Sequence, residues 1–196
     1  MTSVTTTNMS NGFLELILGP MFSGKTTRLI EIYNKYNRSS KKICVVNYSL
    51  DTRYHNEMLS THDKVMIPCI FSTTINELFT SDNLKEADII LINEGQFFED
   101  IYESVIELVE KMKKKVFVCG LDGDFQRNKF GKLLDLIPIC DNVVKLHSSC
   151  NQCDNEAIFS YRITEETKQV DIGSTNYIPL CRKCYNTPNK KKNETN

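Results

Sequence analysis

The fold of this chain is decided by the stretch Gly19-Pro20-Met21-Phe22-Ser23-Gly24-Lys25-Thr26. The stretch has the form G-x-x-x-x-G-K-[ST], which is the phosphate-binding P-loop. An apolar run of strand length precedes it at residues 13–18, and residues 27–33 follow it with apolar side chains at helical spacing. The motif therefore lies between a predicted strand and a predicted helix, as a working phosphate loop must.

The residue types of this loop are suited to binding the phosphates of a nucleoside triphosphate. Gly19 and Gly24 allow backbone conformations closed to other residues, so that successive N–H groups can converge on phosphate oxygens. The helix that follows adds its positive end. Lys25 can reach the outer phosphates, and the Thr26 hydroxyl can bind Mg²⁺. The alternative is a chance Gly-Lys-Thr turn, but the flanking strand and helix favour nucleotide binding.

Further strands are predicted at residues 42–47, 87–92 and 116–119, because each is a nearly continuous apolar run. A helical pattern occupies residues 101–112, and Asp100 precedes it as a plausible N-cap. Residues 65–71 predict an edge strand, since Pro68 cannot lie in a central one. Strands that alternate with helices predict an α/β fold with a P-loop (RecA-like) parallel sheet core and helices on both faces.

Polar residues follow several of these strands directly. Asp51, Glu94 and Asp122 each come after a predicted strand, as the P-loop does. The carboxyl ends of parallel strands meet at one edge of the sheet, where ligands bind, so we expect these groups to converge. Glu94 could act as a general base toward an attacking hydroxyl, or it could be a plain surface glutamate. Asp51 and Arg53 could likewise form only a surface ion pair.

Two C-x-x-C pairs lie near the end of the chain, Cys150 with Cys153 and Cys181 with Cys184. Four thiolates from two such pairs close a tetrahedral structural Zn²⁺ site and leave no open position for catalysis. The 27 residues between the pairs predict a hairpin, with strands at 159–162 and 168–172. A redox pair or chance cysteines are the alternatives.

The amino-acid composition limits which classes of protein this chain can belong to. Of 196 residues, 40% are hydrophobic and 25% are charged, which is ordinary for a globular protein. The net charge of −1 argues against a nucleic-acid partner. No apolar run approaches the roughly 20 residues of a membrane span. The first dozen residues show no secretory signal, so we expect a cytoplasmic protein in which cysteines stay reduced.

The change in composition near residue 146 predicts four segments. These are a flexible arm at 1–12, a P-loop nucleotide-binding α/β domain at 13–146, a small C-terminal zinc-ribbon domain at 147–187, and a flexible tail at 188–196. Spacing and composition alone reach only a P-loop phosphotransferase with a zinc annex. A P-loop ATPase that acts on nucleic acid through the annex, and a non-catalytic nucleotide-binding protein, remain as alternatives.

Taken together, the motifs resemble a known family. GPMFSGKT, DTRY with Thr61-His62-Asp63 after it, EGQFF, LDGxFQR and the paired C-x-x-C knuckles occur in the order seen in type II thymidine kinases. The resemblance runs from about residue 13 to residue 185, and the composition looks more like that of a viral member. It implies transfer of the γ-phosphoryl group of Mg·ATP to the 5′-hydroxyl of thymidine, giving dTMP. It also implies a homotetramer, feedback inhibition by dTTP and, for a viral member, the host cytoplasm.

The resemblance also assigns roles to residues. It makes Glu94 the catalytic base. It assigns ATP and Mg²⁺ to Gly19, Pro20, Met21, Phe22, Ser23, Gly24, Lys25, Thr26, Asp51, Arg53, Asn93 and Gln96. It assigns thymidine to Met21, Phe97, Leu121, Phe125 and Ser160, and to Val170, Asp171, Ile172 and Tyr177 of a lasso between the knuckles. It implies a structural Zn²⁺ bound by Cys150, Cys153, Cys181 and Cys184.

Three positions depart from the family pattern. Asn93 stands where the family usually has Asp before its catalytic Glu, so an amide replaces a charge near the metal. Ile172-Gly173 stands where the lasso usually has two glycines. Asp124 occupies a position that is usually uncharged or basic. The first departure bears on how Mg²⁺ is held, and the second bears on the path of the lasso backbone.

Overall fold

A computed structural model of the chain describes residues 11–49, 58–60, 65–170 and 175–187. Its core is a six-stranded parallel sheet with the spatial order β5-β2-β6-β7-β1-β8. These strands are β1 (Phe13–Leu18), β2 (Ile43–Tyr48), β5 (Ile70–Ser72), β6 (Ile89–Ile92), β7 (Lys115–Gly120) and β8 (Asn142–Lys145). The predicted α/β fold with a parallel sheet is therefore confirmed.

Helices cover both faces of the sheet because neighbouring residues of a strand point to opposite sides. On one face, Leu16 and Ile90 pack with α3 (Ile101–Ile106), its continuation Glu107–Lys111, and the 3₁₀ helix Leu133–Ile139. On the other face, Ile17 and Leu91 pack with α1 (Lys25–Asn37). The continuous apolar runs of the sequence thus fill two layers of core, one on each side.

The predicted edge strand at residues 65–71 is two short strands. β4 (Met66–Pro68) pairs antiparallel with β3 (Met58–Ser60), while β5 pairs parallel with β2 at the edge of the sheet. The other edge is β8, which pairs with β1. The 3₁₀ helices Asn76–Thr80 and Gly95–Phe97 and the short helix α2 (Asp82–Glu86) complete the main layers. Among the described residues, no helix is long and apolar enough to cross a membrane.

Asp100 lies at the N-cap position of α3, but its carboxylate does not cap that helix. It accepts hydrogen bonds from the backbone N–H groups of Ile75 at 3.2 Å and Asn76 at 2.7 Å, and from the Ser104 hydroxyl of α3 at 3.1 Å. The predicted N-cap position is therefore right, but no capping bond forms from its side chain to the backbone of α3. The carboxylate satisfies the start of the 3₁₀ helix Asn76–Thr80, and so it joins two segments that are 24 residues apart in the chain.

The carboxyl-terminal annex contains two small antiparallel pairs and the helix α4 (Arg182–Asn186). β9 (Ser148–Ser149) pairs with β10 (Glu156–Ala157), and β11 (Phe159–Arg162) pairs with β12 (Tyr177–Leu180). The sequence predicted that residues 168–172 form the strand beside β11. This prediction is wrong for residues 168–170, which form no strand, and residues 171 and 172 lie outside the described residues. The carbonyls of Lys168 and Gln169 accept hydrogen bonds from Arg162 rather than from a strand.

Candidate functional site

The P-loop joins β1 to α1, as its sequence predicted. Gly24 is in the left-handed region with φ of 82°, where a side chain would be strained, and α1 begins at the next residue. Gly19 is needed for space, since a Cβ there would lie 2.5 Å from the Leu146 carbonyl oxygen. The buried Lys25 donates from Nζ to the Pro20 carbonyl oxygen at 2.6 Å. Its ammonium group is thus held inside the loop, where phosphate oxygens could replace that carbonyl.

A buried polar network lies next to the loop. Asn93 accepts at Oδ1 from the Thr26 hydroxyl at 3.5 Å and from the Cys119 thiol at 2.9 Å. Its Nδ2 donates to Oδ1 of the buried Asn47 at 2.8 Å. Burial raises the pKa of Cys119 to about 12, so the thiol remains protonated and can donate. Sequence reasoning missed Asn47 and Cys119; the polar Asn47 at the end of an apolar strand was the available signal.

Glu94 follows β6 in a left-handed backbone conformation with φ of 56°. Its Oε2 accepts a 2.6 Å hydrogen bond from Nε2 of the buried Gln96. Oε1 of Gln96 accepts from the Leu121 backbone N–H at 3.0 Å. Gly120 and Gly131 leave room for this arrangement, since a Cβ at either would lie within 2.4 Å of an oxygen of Gln96. A non-glycine residue at positive φ, held by a buried amide, is typical of a functional site.

Glu94 and Lys25 both act electrostatically on Cys119 of β7. Burial is the main cause that raises the pKa of this thiol, the Glu94 carboxylate raises it further, and the Lys25 ammonium group lowers it. β6, β7 and β1 are neighbours in the sheet, so Glu94, Leu121 and the P-loop leave the same edge side by side. The sequence predicted that the P-loop, Asp51, Glu94 and Asp122 converge, and the sheet order brings the P-loop and Glu94 to one edge. The Asp122 carboxylate accepts a hydrogen bond from Lys145 at 2.5 Å, and Asp51 lies outside the described residues.

Several residues assigned to thymidine lie where the annex meets this edge. The Met21 backbone N–H donates to Oγ of the buried Ser160 at 2.9 Å, which joins the P-loop to β11. The ring of Phe97 stacks on Tyr48 with centroids 5.2 Å apart. The carbonyl oxygen of Phe125 accepts from the Tyr185 hydroxyl at 2.7 Å. Met21, Ser160 and Phe125 thus lie where the annex contacts the main domain, whereas Phe97 packs on Tyr48 within the main domain.

Two lasso residues can be placed and several assigned residues cannot. Tyr177 begins β12 and is buried, and its hydroxyl oxygen accepts a 3.1 Å hydrogen bond from Nε of Arg162. Val170 is exposed. Asp51, Arg53, Asp171 and Ile172 lie outside the described residues, so their roles remain predictions.

The four cysteines of the two knuckles form one cluster, with all Sγ atoms within 4.8 Å of one another. Backbone N–H groups point at the sulfurs, from Cys181 to Cys150 at 3.3 Å and from Cys184 to Cys181 at 3.4 Å. Burial raises the pKa of Cys150, but hydrogen bonds from Cys181 and Gln152 outweigh it and lower the pKa to about 6. Four converging sulfurs, two of which accept backbone N–H groups, are a donor set suited to Zn²⁺.

Comparison with known proteins agrees with these features. A family model described as "Thymidine kinase" matches residues 12–185. The thymidine kinase of Sheeppox virus is 42% identical over 179 residues, which cover 90% of this chain and 98% of that protein. The thymidine kinase of Vaccinia virus (strain Western Reserve) is 42% identical over 181 residues, with coverages of 90% and 98%. Thymidine kinase a of Arabidopsis thaliana is 38% identical over 181 residues, with coverages of 90% and 76%. The motif resemblance is confirmed, and the chain belongs to the thymidine kinase family.

Proposed function

We propose that this protein phosphorylates thymidine, transferring the γ-phosphoryl group of Mg·ATP to the 5′-hydroxyl to give dTMP. The observation that carries the proposal is the Glu94 carboxylate, held by Gln96 at the sheet edge that also holds the P-loop lysine. Phosphoryl transfer needs a positioned nucleophile and stabilised charge, and it needs little covalent chemistry from the protein.

The P-loop supplies the ATP site. Residues 19–26 would surround the phosphates with backbone N–H groups, and Lys25 would exchange the Pro20 carbonyl oxygen for phosphate oxygens. The Thr26 hydroxyl and the Asn93 carbonyl oxygen, 3.5 Å apart, are two described oxygens suited to Mg²⁺. When bound, the cation neutralises charge on the phosphates. Because Asn93 is neutral, the resemblance leaves Asp51 and Arg53 as further groups for the metal and the phosphates.

Glu94 is the proposed general base toward the thymidine 5′-hydroxyl. Its carboxylate would accept the proton while the hydrogen bond from Gln96 to Oε2 holds the carboxylate in place. Met21, Phe97, Leu121, Phe125 and Ser160 would enclose the thymine ring. The lasso residues Val170, Asp171, Ile172 and Tyr177 would contact the nucleoside largely through backbone groups. These contacts would exclude water from the site and so limit hydrolysis of ATP.

Other family features are proposed on the resemblance. These are a structural Zn²⁺ on Cys150, Cys153, Cys181 and Cys184, a homotetramer, inhibition by dTTP, and a cytoplasmic location, in the host cell for a viral protein. The zinc proposal has independent support from the geometry of the four sulfurs.

A panel of nucleosides incubated with ATP and Mg²⁺, and analysed for 5′-monophosphates, tests the reaction. We expect dTMP from thymidine, and a fall in kcat of roughly 10²–10⁴-fold for Glu94→Gln with its melting temperature unchanged. Glu99→Gln is the matched control, because Glu99 is an exposed carboxylate on the same segment. No monophosphate product, together with ATP hydrolysis stimulated by DNA, would support the nucleic-acid ATPase instead.

A further inference from the structure

Arg162 is a buried cation whose hydrogen bonds are fully used. It is 5% exposed. Nη1 donates to the carbonyl oxygens of Glu166 at 2.9 Å and of Lys168. Nη2 donates to the Gln169 carbonyl oxygen at 3.1 Å and to the Tyr177 hydroxyl, which also accepts from Nε at 3.1 Å. A guanidinium group carries five N–H donors, and each of these five has an acceptor.

The acceptors fix a segment of backbone. Three of them are carbonyl groups of residues 166–169, which we call the lasso stem because they precede the predicted lasso contacts. These carbonyls belong to no strand or helix, so the side chain of Arg162 supplies the hydrogen bonds that secondary structure would otherwise provide. The path of the lasso stem therefore depends on the fork of one guanidinium group.

The same guanidinium group covers an aromatic ring assigned to thymidine. Its carbon lies 3.8 Å from the centroid of the Phe125 ring and 5.0 Å from that of Tyr177. A guanidinium group stacked on an aromatic face at this distance is attracted to it, more strongly when both are shielded from water. One face of Phe125 is thus held by Arg162, which orients the ring relative to the base pocket.

A second connection joins the same two segments. Oδ1 of the buried Asp124 accepts backbone N–H groups from Gln126 at 2.9 Å and Asn128 at 2.8 Å, which closes the turn around Phe125. Its Oδ2 accepts from Nε2 of Gln169 at 2.8 Å. Asp124 is one of the three positions that depart from the family pattern, and its contact with Gln169 gives this aspartate a structural role.

We propose that Arg162 is a positioning residue for thymidine recognition, which holds the Phe125 ring and the lasso stem in one arrangement, with the Asp124–Gln169 contact as a second tie. The proposal rests on the proposed function. Pre-ordering both surfaces of a pocket lowers the entropy cost of binding the nucleoside. The five hydrogen bonds of Arg162 go to Tyr177 and to the lasso stem and none goes to the P-loop or to Glu94, so we expect the effect on thymidine rather than on ATP.

Arg162→Lys tests the proposal, because lysine keeps the charge and loses the planar fork. We expect the KM and the calorimetric Kd for thymidine to rise roughly tenfold, since hydrogen bonds to a charged group are lost. The KM for ATP and the zinc content should stay within about twofold of wild type, as expected for a loss confined to nucleoside binding. Arg182→Lys is the matched control, because Arg182 is exposed and its guanidinium carbon lies 5.2 Å from the Phe159 ring of the same annex.

Two results would overturn the proposal: a thymidine Kd unchanged in folded, zinc-loaded Arg162→Lys, or equal rises in the KM values for thymidine and ATP. If Arg162→Lys does not accumulate as folded protein, Gln169→Leu decides, since Gln169 is exposed and its side chain reaches only the second tie. An unchanged thymidine Kd in that variant then overturns the proposal. Failure of the wild-type protein itself to bind or phosphorylate thymidine would instead refute the proposed function.

Discussion

Gln96 holds Glu94 through a 2.6 Å hydrogen bond from Nε2 to the carboxylate Oε2. The orientation of the amide is determined, because the Leu121 N–H can donate only to Oε1 and leaves Nε2 to face Glu94. The amide thus connects the end of β7 to the carboxylate that follows β6. A residue first assigned to ATP and Mg²⁺ is placed by the structure to orient the proposed base.

Gln96→Met tests this orientation, because methionine has a similar shape without the donor or the acceptor. We expect kcat to fall roughly 10–100-fold, which corresponds to one hydrogen bond to a charged group. The acidic limb of the pH–rate profile should move to higher pH, because the ionised carboxylate loses a donor that stabilises it. A profile and a kcat equal to those of wild type would show that Gln96 does not act on Glu94.

Asn93→Asp tests the neutral network beside the P-loop. A carboxylate at this buried position faces Oδ1 of Asn47, so we expect a loss of about 1–3 kcal/mol in unfolding free energy in chelator at pH 7.5. Burial raises the folded-state pKa of an aspartate above its unfolded value near 3.9. The loss should therefore vanish below pH 4 and grow as the pH rises through the folded pKa. Chemical denaturation at several pH values measures this.

Added Mg²⁺ should restore much of the stability of Asn93→Asp, since a cation that binds only the folded state stabilises it. Unchanged stability in chelator, or no response to Mg²⁺, would contradict the view that Asn93 lowers the negative charge of a cation site.

Removal of zinc should weaken thymidine binding more than ATP binding. Tyr185 directly follows Cys184 and donates its hydroxyl hydrogen bond to the Phe125 carbonyl oxygen at 2.7 Å. Metal analysis should find about one zinc ion per chain, and Cys153→Ser should lose it. Cys140→Ser is the control, because Cys140 lies outside the cluster. Wild-type protein without zinc, or Cys153→Ser with a full complement of it, would refute the assignment.

Cys44 should make stability depend on alkaline pH. Burial in β2 raises the pKa of this thiol to about 11, above an unfolded value near 8.5. Its contribution is therefore complete below pH 8.5 and declines as the pH rises toward 11, by about 1.4 kcal/mol per unit. Cys44→Ala lacks this contribution, so its unfolding free energy should fall less steeply than that of wild type between pH 8.5 and 10.5. Parallel curves from urea denaturation would contradict the prediction.

Local sequence signals predicted the elements that carry the site. The glycines of the P-loop, the apolar runs of β1, β6 and β7, and the acidic Glu94 at a strand end are each readable within a few residues, because backbone conformation and side-chain periodicity are local properties. The four cysteines were readable as well, since ligand spacing within each knuckle is local.

Pairings between distant residues could not be predicted in this way. Arg162 lies in a predicted strand and carries no motif, yet it bonds the lasso stem and covers Phe125. The partner of β11 was assigned from spacing and is β12. Asp100 bonds the backbone N–H groups of Ile75 and Asn76 as well as the Ser104 hydroxyl of its own helix. Each depends on which surfaces meet once the layers are packed.

The amino-acid sequence by itself determined a phosphate loop, a parallel sheet, a carboxylate at its edge and four converging thiols, because short-range geometry fixes each of these. Only the tertiary structure decided that Asn93 lies between Asn47 and Cys119, that Gln96 orients Glu94, and that a buried arginine joins the annex to an aromatic ring of the main domain. A buried donor or acceptor must find a partner, and packing decides which partner lies within reach.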